Sequence, residues 1–336
     1  MSRSGCGLRR HARRFAKVAN EAAQSSFRAY WPDKSAVVLS GYGRLIKEKA
    51  HRSQWLDALA LFHGLRSTET GRMEMSTEVV QQVMAACAKA RKWQMALQLF
   101  EQLPSWKVVP NTVTYNTISN ALLKAGHWQA SLALLHEAFR SHFAPTVVTF
   151  NSAIAACHRG SQWPLAVSLL QRLLEKQLRP TAITCTGVMG ACAKGTQWLE
   201  AISILAKMIR QVDEYPMPDL TAYNAAISAC SQSVDAWEFA LALAASLPLQ
   251  PDVFTLSACL TACQRSTQWI LALQKLRHFQ RMAIEPDQVA YGSAIASCAE
   301  GPGWPYALHL ADAMIQAKFN TNNIVCSVYI STAMRR

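Results

Sequence analysis

The sequence predicts an all-α solenoid of about 35-residue helical hairpins, and three observations predict it. Tryptophans recur at positions 55, 93, 128, 163, 198, 237, 269 and 304, with gaps of 38, 35, 35, 35, 39, 32 and 35 residues. A small residue stands three places after each of them: Ala58, Ala96, Ser131, Ala166, Ala201, Ala240, Ala272 and Ala307. Prolines 110, 145, 180, 251 and 286 each precede a tryptophan by 18 residues, and Pro218 does so by 19. A fixed period between 20 and 50 residues is the mark of a stacked array rather than of a closed globular core.

Each repeat reads as helix A, a turn and helix B. In TVTYNTISNALLKAGHWQASLALLHEAF, the apolar residues Tyr115, Ile118 and Leu122 recur at spacings of three and four, the period of an amphipathic helix. Gly126 breaks that run, and a second amphipathic stretch starts near Trp128 with Leu132 and Leu135 on one face. Asn, Thr or Asp follows each of the prolines and stands where helix A begins, and such side chains cap helices by accepting an orphan backbone N–H. Pro164 and Pro305 follow a tryptophan directly and fit the first turn of helix B, where a missing N–H costs nothing.

The small residue three places after each tryptophan lets neighbouring helices approach closely. The aliphatic residue after it (Leu59, Leu97, Leu132, Val167, Ile202, Leu241, Leu273, Leu308) fills the space between repeats. No single hairpin can bury this face alone, so the units must stack. The units fall at 39–76, 77–111, 112–146, 147–181, 182–219, 220–252, 253–287 and 288–322, eight in all. Residues 323–336 read as a lone helix A of a partial ninth unit, serving either as a cap or as the start of more repeats.

Composition agrees with a folded, polyanion-seeking chain. Hydrophobic residues make up 51% of it and charged residues 16%, enough apolar material for a core. No run of 18 apolar residues suggests a membrane span. The net charge is +13. Residues 1–38 carry eight Lys/Arg and two acids, and the basic excess extends through the rest of the chain. This leader has no acid before Glu21 and reads either as an organelle-targeting segment or as a basic arm.

Cys87, Cys157, Cys192, Cys230, Cys263 and Cys298 share one helix A position, held by Leu122 in the third unit, which marks a packing site for reduced thiols. The chain has no C-x-x-C, no H-x-E and no G-x-x-x-x-G-K, so zinc deaminase and phosphate-loop chemistry are not indicated. No cofactor, metal or small-molecule substrate is expected.

Units two to eight resemble the pentatricopeptide repeat. TVTYNTIS, VVTFNSAI and LTAYNAAIS match that family's helix A opening, and the Pro-Asp pairs at 218–219, 251–252 and 286–287 match its end. The first unit departs most, opening LSGYGRLIKEKA without a closing proline. The tetratricopeptide repeat, a protein-binding solenoid, is the competing reading. Its tryptophan, however, lies in the first helix and its period is 34.

The resemblance implies a right-handed α-solenoid that binds single-stranded RNA, one base per repeat, without catalysis. It implies work in RNA processing, stabilisation or translation in a mitochondrion or plastid (chloroplast), with RNA-processing proteins as further partners. A peptide-binding scaffold and an adaptor bringing an enzyme to RNA are the alternatives; without an organelle signal the chain would be cytoplasmic.

In this family the first base-reading position falls on Asn116, Asn151, Thr186, Asn224 and Ser257 of units three to seven. The second is the last residue of each unit: Thr146, Thr181, Asp219, Asp252 and Asp287. The second set is equally a set of helix caps. The first set consists of poor helix formers lying inside helices, which capping does not explain. Three residues before the readers stand Val113, Val148, Ile183, Thr221 and Phe254, suited to sandwiching a base. Four residues after them stand Asn120, Ala155, Gly190, Ser228 and Thr261, small enough to leave a groove.

Four further on are Lys124, Arg159, Lys194 and Arg265, with Lys89 in the same place in unit two. These cations suit phosphates, and they equally complement the helix dipole. The family's pairings imply pyrimidine-pyrimidine-G-U-G, 5′ to 3′, for units three to seven. Gln81 with Asn111 in unit two and Gly292 with Asn322 in unit eight give no assignment.

Overall fold

The computed structural model describes residues 44–49, 54–67, 77–140, 145–211, 215–299, 303–317 and 319. The leader at 1–38, residues 323–336 and part of the first unit lie outside the described residues. The elements are α1 (Trp55–Ser67), α2 (Thr77–Lys89), α3 (Trp93–Gln102) with a 3-10 turn at Leu103–Trp106, α4 (Thr112–Lys124), α5 (Trp128–Arg140), α6 (Val147–Arg159), α7 (Trp163–Glu175), α8 (Ala182–Lys194), α9 (Trp198–Arg210), α10 (Leu220–Ser231), α11 (Trp237–Ala245), α12 (Val253–Arg265), α13 (Trp269–Arg281), α14 (Gln288–Ala299) and α15 (Trp304–Gln316). Residues 44–49 are also helical, and no strand occurs among the described residues. None of these helices is long and apolar enough to cross a membrane.

Each helix B starts on its tryptophan, and helix A of units two to eight starts on the first residue of its unit. The contacts divide the chain into two compact units, one up to Ser152 and one from Ala153, with the division inside α6. In the first, α2 packs on α1, on α3 and on α4, and α4 packs on α3 and α5. In the second, α8, α10, α12 and α14 pack in series, with α9, α11 and α13 each wedged between its own helix A and the next. Both units are therefore α-solenoid stacks.

The packing follows from the small residues. Ala58, Ala96, Ser131, Ala166, Ala201, Ala240, Ala272 and Ala307 are all 0% exposed. A larger side chain at such a site forces off-rotamer neighbours at about 1–3 kcal/mol. The cysteine position is buried in every described repeat, including Leu122 in the third. Burial pushes the thiols of Cys87 and Cys157 up to about 12, so they remain protonated packing groups.

The tryptophans differ from a simple core residue: those at 55, 93, 128, 163, 198, 237 and 269 are half-buried. Trp93, Trp163 and Trp269 cover the turn of the following repeat instead of filling its interior. Trp93 lies 4.3 Å from the His127 ring, and Trp163 packs so closely on Gly195 that a Cβ there would overlap it. Trp198 stacks on Phe239 and Trp269 on Tyr306.

The turns themselves need a left-handed residue. The N–H groups of Lys92, His127, Gln162, Gln197 and Gln268 reach back to the carbonyls of Cys87, Leu122, Cys157, Cys192 and Cys263, each at 2.9 Å. This closure places Arg91, Gly126, Ser161, Thr196 and Thr267 at positive φ. A similar cap ends α13, where Ala283 has φ 59 and donates to the Gln280 carbonyl. A Cβ in that region costs roughly 1–2 kcal/mol, partly offset by the lower chain entropy of Ala over Gly. Ala283→Gly is expected to raise stability by about 0.5–1 kcal/mol in denaturant melts; a loss would show that this cap is not left-handed in solution.

Candidate nucleic-acid interface

The predicted base-reading residues start from cap chemistry. Asn111 Oδ1 accepts from the Thr114 N–H at 3.0 Å, Asp219 from Ala222 at 2.9 Å, Asp252 from Thr255 at 2.9 Å and Asp287 from Ala290 at 2.7 Å. Thr181 Oγ1 accepts from the Thr184 N–H at 3.3 Å, and Thr146 Oγ1 lies 3.3 Å from Thr149 Oγ1. Asn111, Thr181, Asp219, Asp252 and Asp287 therefore cap the next helix A with their side chains, whereas Thr146 meets only the Thr149 hydroxyl.

Two of the predicted reader pairs are brought into direct contact. Asn224 Nδ2 donates to Asp252 Oδ1 at 3.0 Å, and Ser257 Oγ donates to Asp287 Oδ1 at 3.0 Å. Burial acts to raise the pKa of Asp252. Hydrogen bonds from the Thr255 N–H and hydroxyl and from Asn224 outweigh it and hold the carboxyl below its usual value. The fifth repeat differs. Thr186 Oγ1 turns back to the Ala182 carbonyl at 2.8 Å, and Asp219 receives the Thr221 hydroxyl. In the third repeat Asn116 Oδ1 is buried without a partner, while Thr146 faces Thr149. Asn151 is half-buried in α6.

The predicted stacking positions are open to solvent. Val113 is 55% exposed, Val148 57%, Ile183 72% and Phe254 74%, and Thr221 is exposed as well. Val289, at the same place in the eighth repeat and not singled out by the sequence, is 58% exposed. Within the second unit, an open groove of about 450 Å³ runs between α10 and α12, lined by Thr221, Asn224, Ser228, Asp252, Phe254 and Thr261 among others.

The cations end the same helices. Lys89, Lys124, Arg159, Lys194 and Arg265 are exposed in the last turns of α2, α4, α6, α8 and α12. Arg265 is engaged: its Nη1 donates to the Gln232 carbonyl at 2.9 Å and its Nη2 to Gln232 Oε1 at 3.0 Å. Gln232 stands where repeat six would carry its own cation, so one guanidinium serves two repeats.

The gap expected at Gly190 is closed. The His158 ring lies against it, 2.8 Å from where a Cβ would stand. Burial holds that imidazole below its ordinary pKa, with Lys194 and Arg159 adding to the effect and a hydrogen bond with the Gly190 backbone opposing it.

The pair of unit two, which the sequence left without a base assignment, is also in contact. Gln81 Nε2 donates to Asn111 Oδ1 at 2.8 Å, the same juxtaposition as in repeats six and seven. Gln81 stands at the reader position of α2, which was the available signal; its length hid the likeness to Asn and Ser.

The comparisons agree with this register. Models of the PPR repeat family match residues 82–124 and 110–159, and models of the PPR repeat match residues 148–178 and 183–211. None of the curated proteins matches the chain. Among solved structures, the pentatricopeptide repeat protein PPR10 from maize is 22% identical over 93% of this chain, with a TM-score of 0.66. This chain covers 45% of that protein's length. PPR10 in complex with an 18-nt psaJ RNA element is 16% identical over 93% of this chain and 56% of its own, with a TM-score of 0.43. The matched models identify residues 82–178 and 183–211 as pentatricopeptide repeats, and the solved structure shares the solenoid fold over most of the chain.

Proposed function

We propose that the helix A face binds single-stranded RNA sequence-selectively, one base per repeat, without catalysing a reaction. The observation that carries this reading is an exposed apolar side chain at the second position of helix A in five repeats: Val113 and Val148 in the first unit, and Ile183, Phe254 and Val289 in the second. Helix A already has its own buried face, so these residues are surplus to the core. Val113, Val148, Ile183 and Phe254 each stand beside a polar reader and share a helix with a cation in its last turn. That arrangement suits a nucleotide, whose faces are apolar, whose edge is polar and whose phosphate is anionic. The maize protein PPR10 has been captured with an RNA element, which supports carrying RNA over to this chain.

The reading extends to pyrimidine-pyrimidine-G-U-G for repeats three to seven. It places the protein in organelle RNA processing, stabilisation or translation, with the basic leader as the targeting segment and RNA-processing proteins as partners. Binding of the full chain to random single-stranded RNA, to duplex RNA and to peptides at several salt concentrations tests it. Lys89, Lys124, Arg159 and Lys194 give a slope of log K against log salt near about −3, from roughly −0.7 per single-strand phosphate contact. Selection from a random pool should enrich the five-base core. A flat salt dependence, with no preference for single strands, would return the chain to the peptide-scaffold reading.

A further inference from the structure

We propose that His158 is a gated phosphate ligand for RNA: the neutral ring sits on Gly190 of α8, and the protonated ring leaves that seat to join Lys194 and Arg159 against the RNA backbone. The inference rests on the RNA-binding reading above and adds a ligand to it.

Two departures from the repeat meet at this point. In units two to eight, His158 is the one titratable side chain at the twelfth position of helix A, and Gly190 is the one glycine at the ninth. Glycine inside a helix is destabilising relative to alanine, so its surroundings must account for it. The ring does so: a Cβ on Gly190 would stand 2.8 Å from His158 Cε1 and Nδ1, closer than such atoms approach. Both residues lie in the second compact unit.

The seat accepts a neutral ring and rejects a charged one. His158 Nδ1 is buried without a hydrogen-bond partner. Protonation puts both an N–H and a positive charge at that buried edge, whichever nitrogen carried the first proton. The neighbouring charges act in the same direction. Burial is the larger cause that holds the imidazole below its ordinary pKa, and Lys194 on α8 and Arg159 on the same helix add to it. The Gly190 backbone opposes this only in part, and no hydrogen bond forms at Nδ1. Neither α6 nor α8 contains an acid, and α7 has only Glu175, its last residue. Cys157, Cys185 and Cys192 on α6 and α8 are thiols that burial pushes above their ordinary value, so they carry no charge.

An RNA phosphate supplies the anion that this cluster lacks. It pairs with the exposed Lys194 and Arg159, offsets their repulsion of the imidazole and favours its charged form. The released ring then offers a third, charge-assisted donor. In the free protein, His158 contributes stability above the ordinary imidazole range and loses it as pH falls through the lowered folded value. RNA reverses the preference, so acid strengthens binding while it weakens the free fold.

Binding of the full chain to labelled random-sequence single-stranded RNA, over a salt series at about pH 5.5 and about pH 8, brackets the ordinary imidazole value. Between those two conditions the wild type should gain about two-fold to five-fold more affinity than His158→Gln, the range of an exposed ion pair. Its slope of log K against log salt should steepen in acid by about 0.7, one single-strand phosphate contact, and that of His158→Gln should not. The His158 ring resonance, assigned by its absence from His158→Gln, should titrate at higher pH once RNA is bound, as reciprocity of the two equilibria requires. Gly190→Ala denies the ring its seat and should move the same resonance toward the ordinary value without RNA, with the melt recorded to show that the fold is kept. Equal acid gains and slopes in wild type and His158→Gln, with RNA still bound, overturn the inference and leave the RNA reading in place. A His158 resonance that ignores RNA overturns it too. Absence of RNA binding by the wild type at either pH removes both readings.

Discussion

Ile183→Asp combined with Phe254→Asp lowers affinity for single-stranded RNA by about 30-fold to 10⁴-fold and leaves the melting temperature unchanged. The size follows from stacking, worth about 1–3 kcal/mol per base on such a platform, lost at two repeats. Two new carboxylates beside the phosphate path add repulsion on top of that. The unchanged stability follows from position. These side chains are 72% and 74% exposed, so removing them uncovers no core. Both sit in the first turn of helix A, where a carboxylate complements the helix dipole. Fluorescence anisotropy with a labelled oligonucleotide reads the loss, and circular dichroism reads the melt. Unchanged affinity with an unchanged melt would show that the apolar row does not meet the bases. A lowered melt would show that the row is structural.

Much of the solenoid was legible because its constraints are local and repeated. The residue three places after each tryptophan, alanine in seven repeats and Ser131 in the third, had to be small to let helices close, and those eight sites are fully buried. Helix starts were legible because proline followed by Asn, Thr or Asp leaves the chain one economical way to begin a helix. The turns were only half legible. Gly126 announced its left-handed conformation, but Arg91, Ser161, Thr196 and Thr267 adopt it too, because the backbone bonds closing the turn require it whatever the side chain.

What escaped the sequence were contacts between repeats. Arg265 looked like a free phosphate ligand by position, and only the approach of α10 to α12 puts Gln232 under its guanidinium. Gly190 looked like open groove, and the His158 ring fills it. Gln81 with Asn111 carried no base assignment, and the cap oxygen of Asn111 draws the Gln81 amide into a contact like that of Asn224 with Asp252. In each case the partner lies about one repeat away along the chain, and its side-chain length decides the outcome. Periodicity fixes which positions face each other but carries no information about reach.

Phe150→Ala is expected to cost about 3–5 kcal/mol, the range for emptying a fully buried aromatic site. Phe150 is 0% exposed, and its ring lies 5.0 Å from that of Phe139. It occupies the fourth position of helix A, where Tyr115, Tyr223, Leu256 and Tyr291 are also buried; Tyr115 meets Phe100 as Phe150 meets Phe139, so in these two repeats the site joins helix A to the helix B before it. A solenoid's stability is close to a sum of repeat and nearest-neighbour terms, so the damage should stay local. Hydrogen exchange should accelerate in α5 and in the first half of α6 while α12 and α14 keep their protection. Phe150→Leu, which retains most of the volume, should cost less than half as much. A uniform loss of protection along the chain would contradict the nearest-neighbour picture. A cost below about 1 kcal/mol for the alanine variant would mean that the space closes around the missing ring and that this position does not join the repeats.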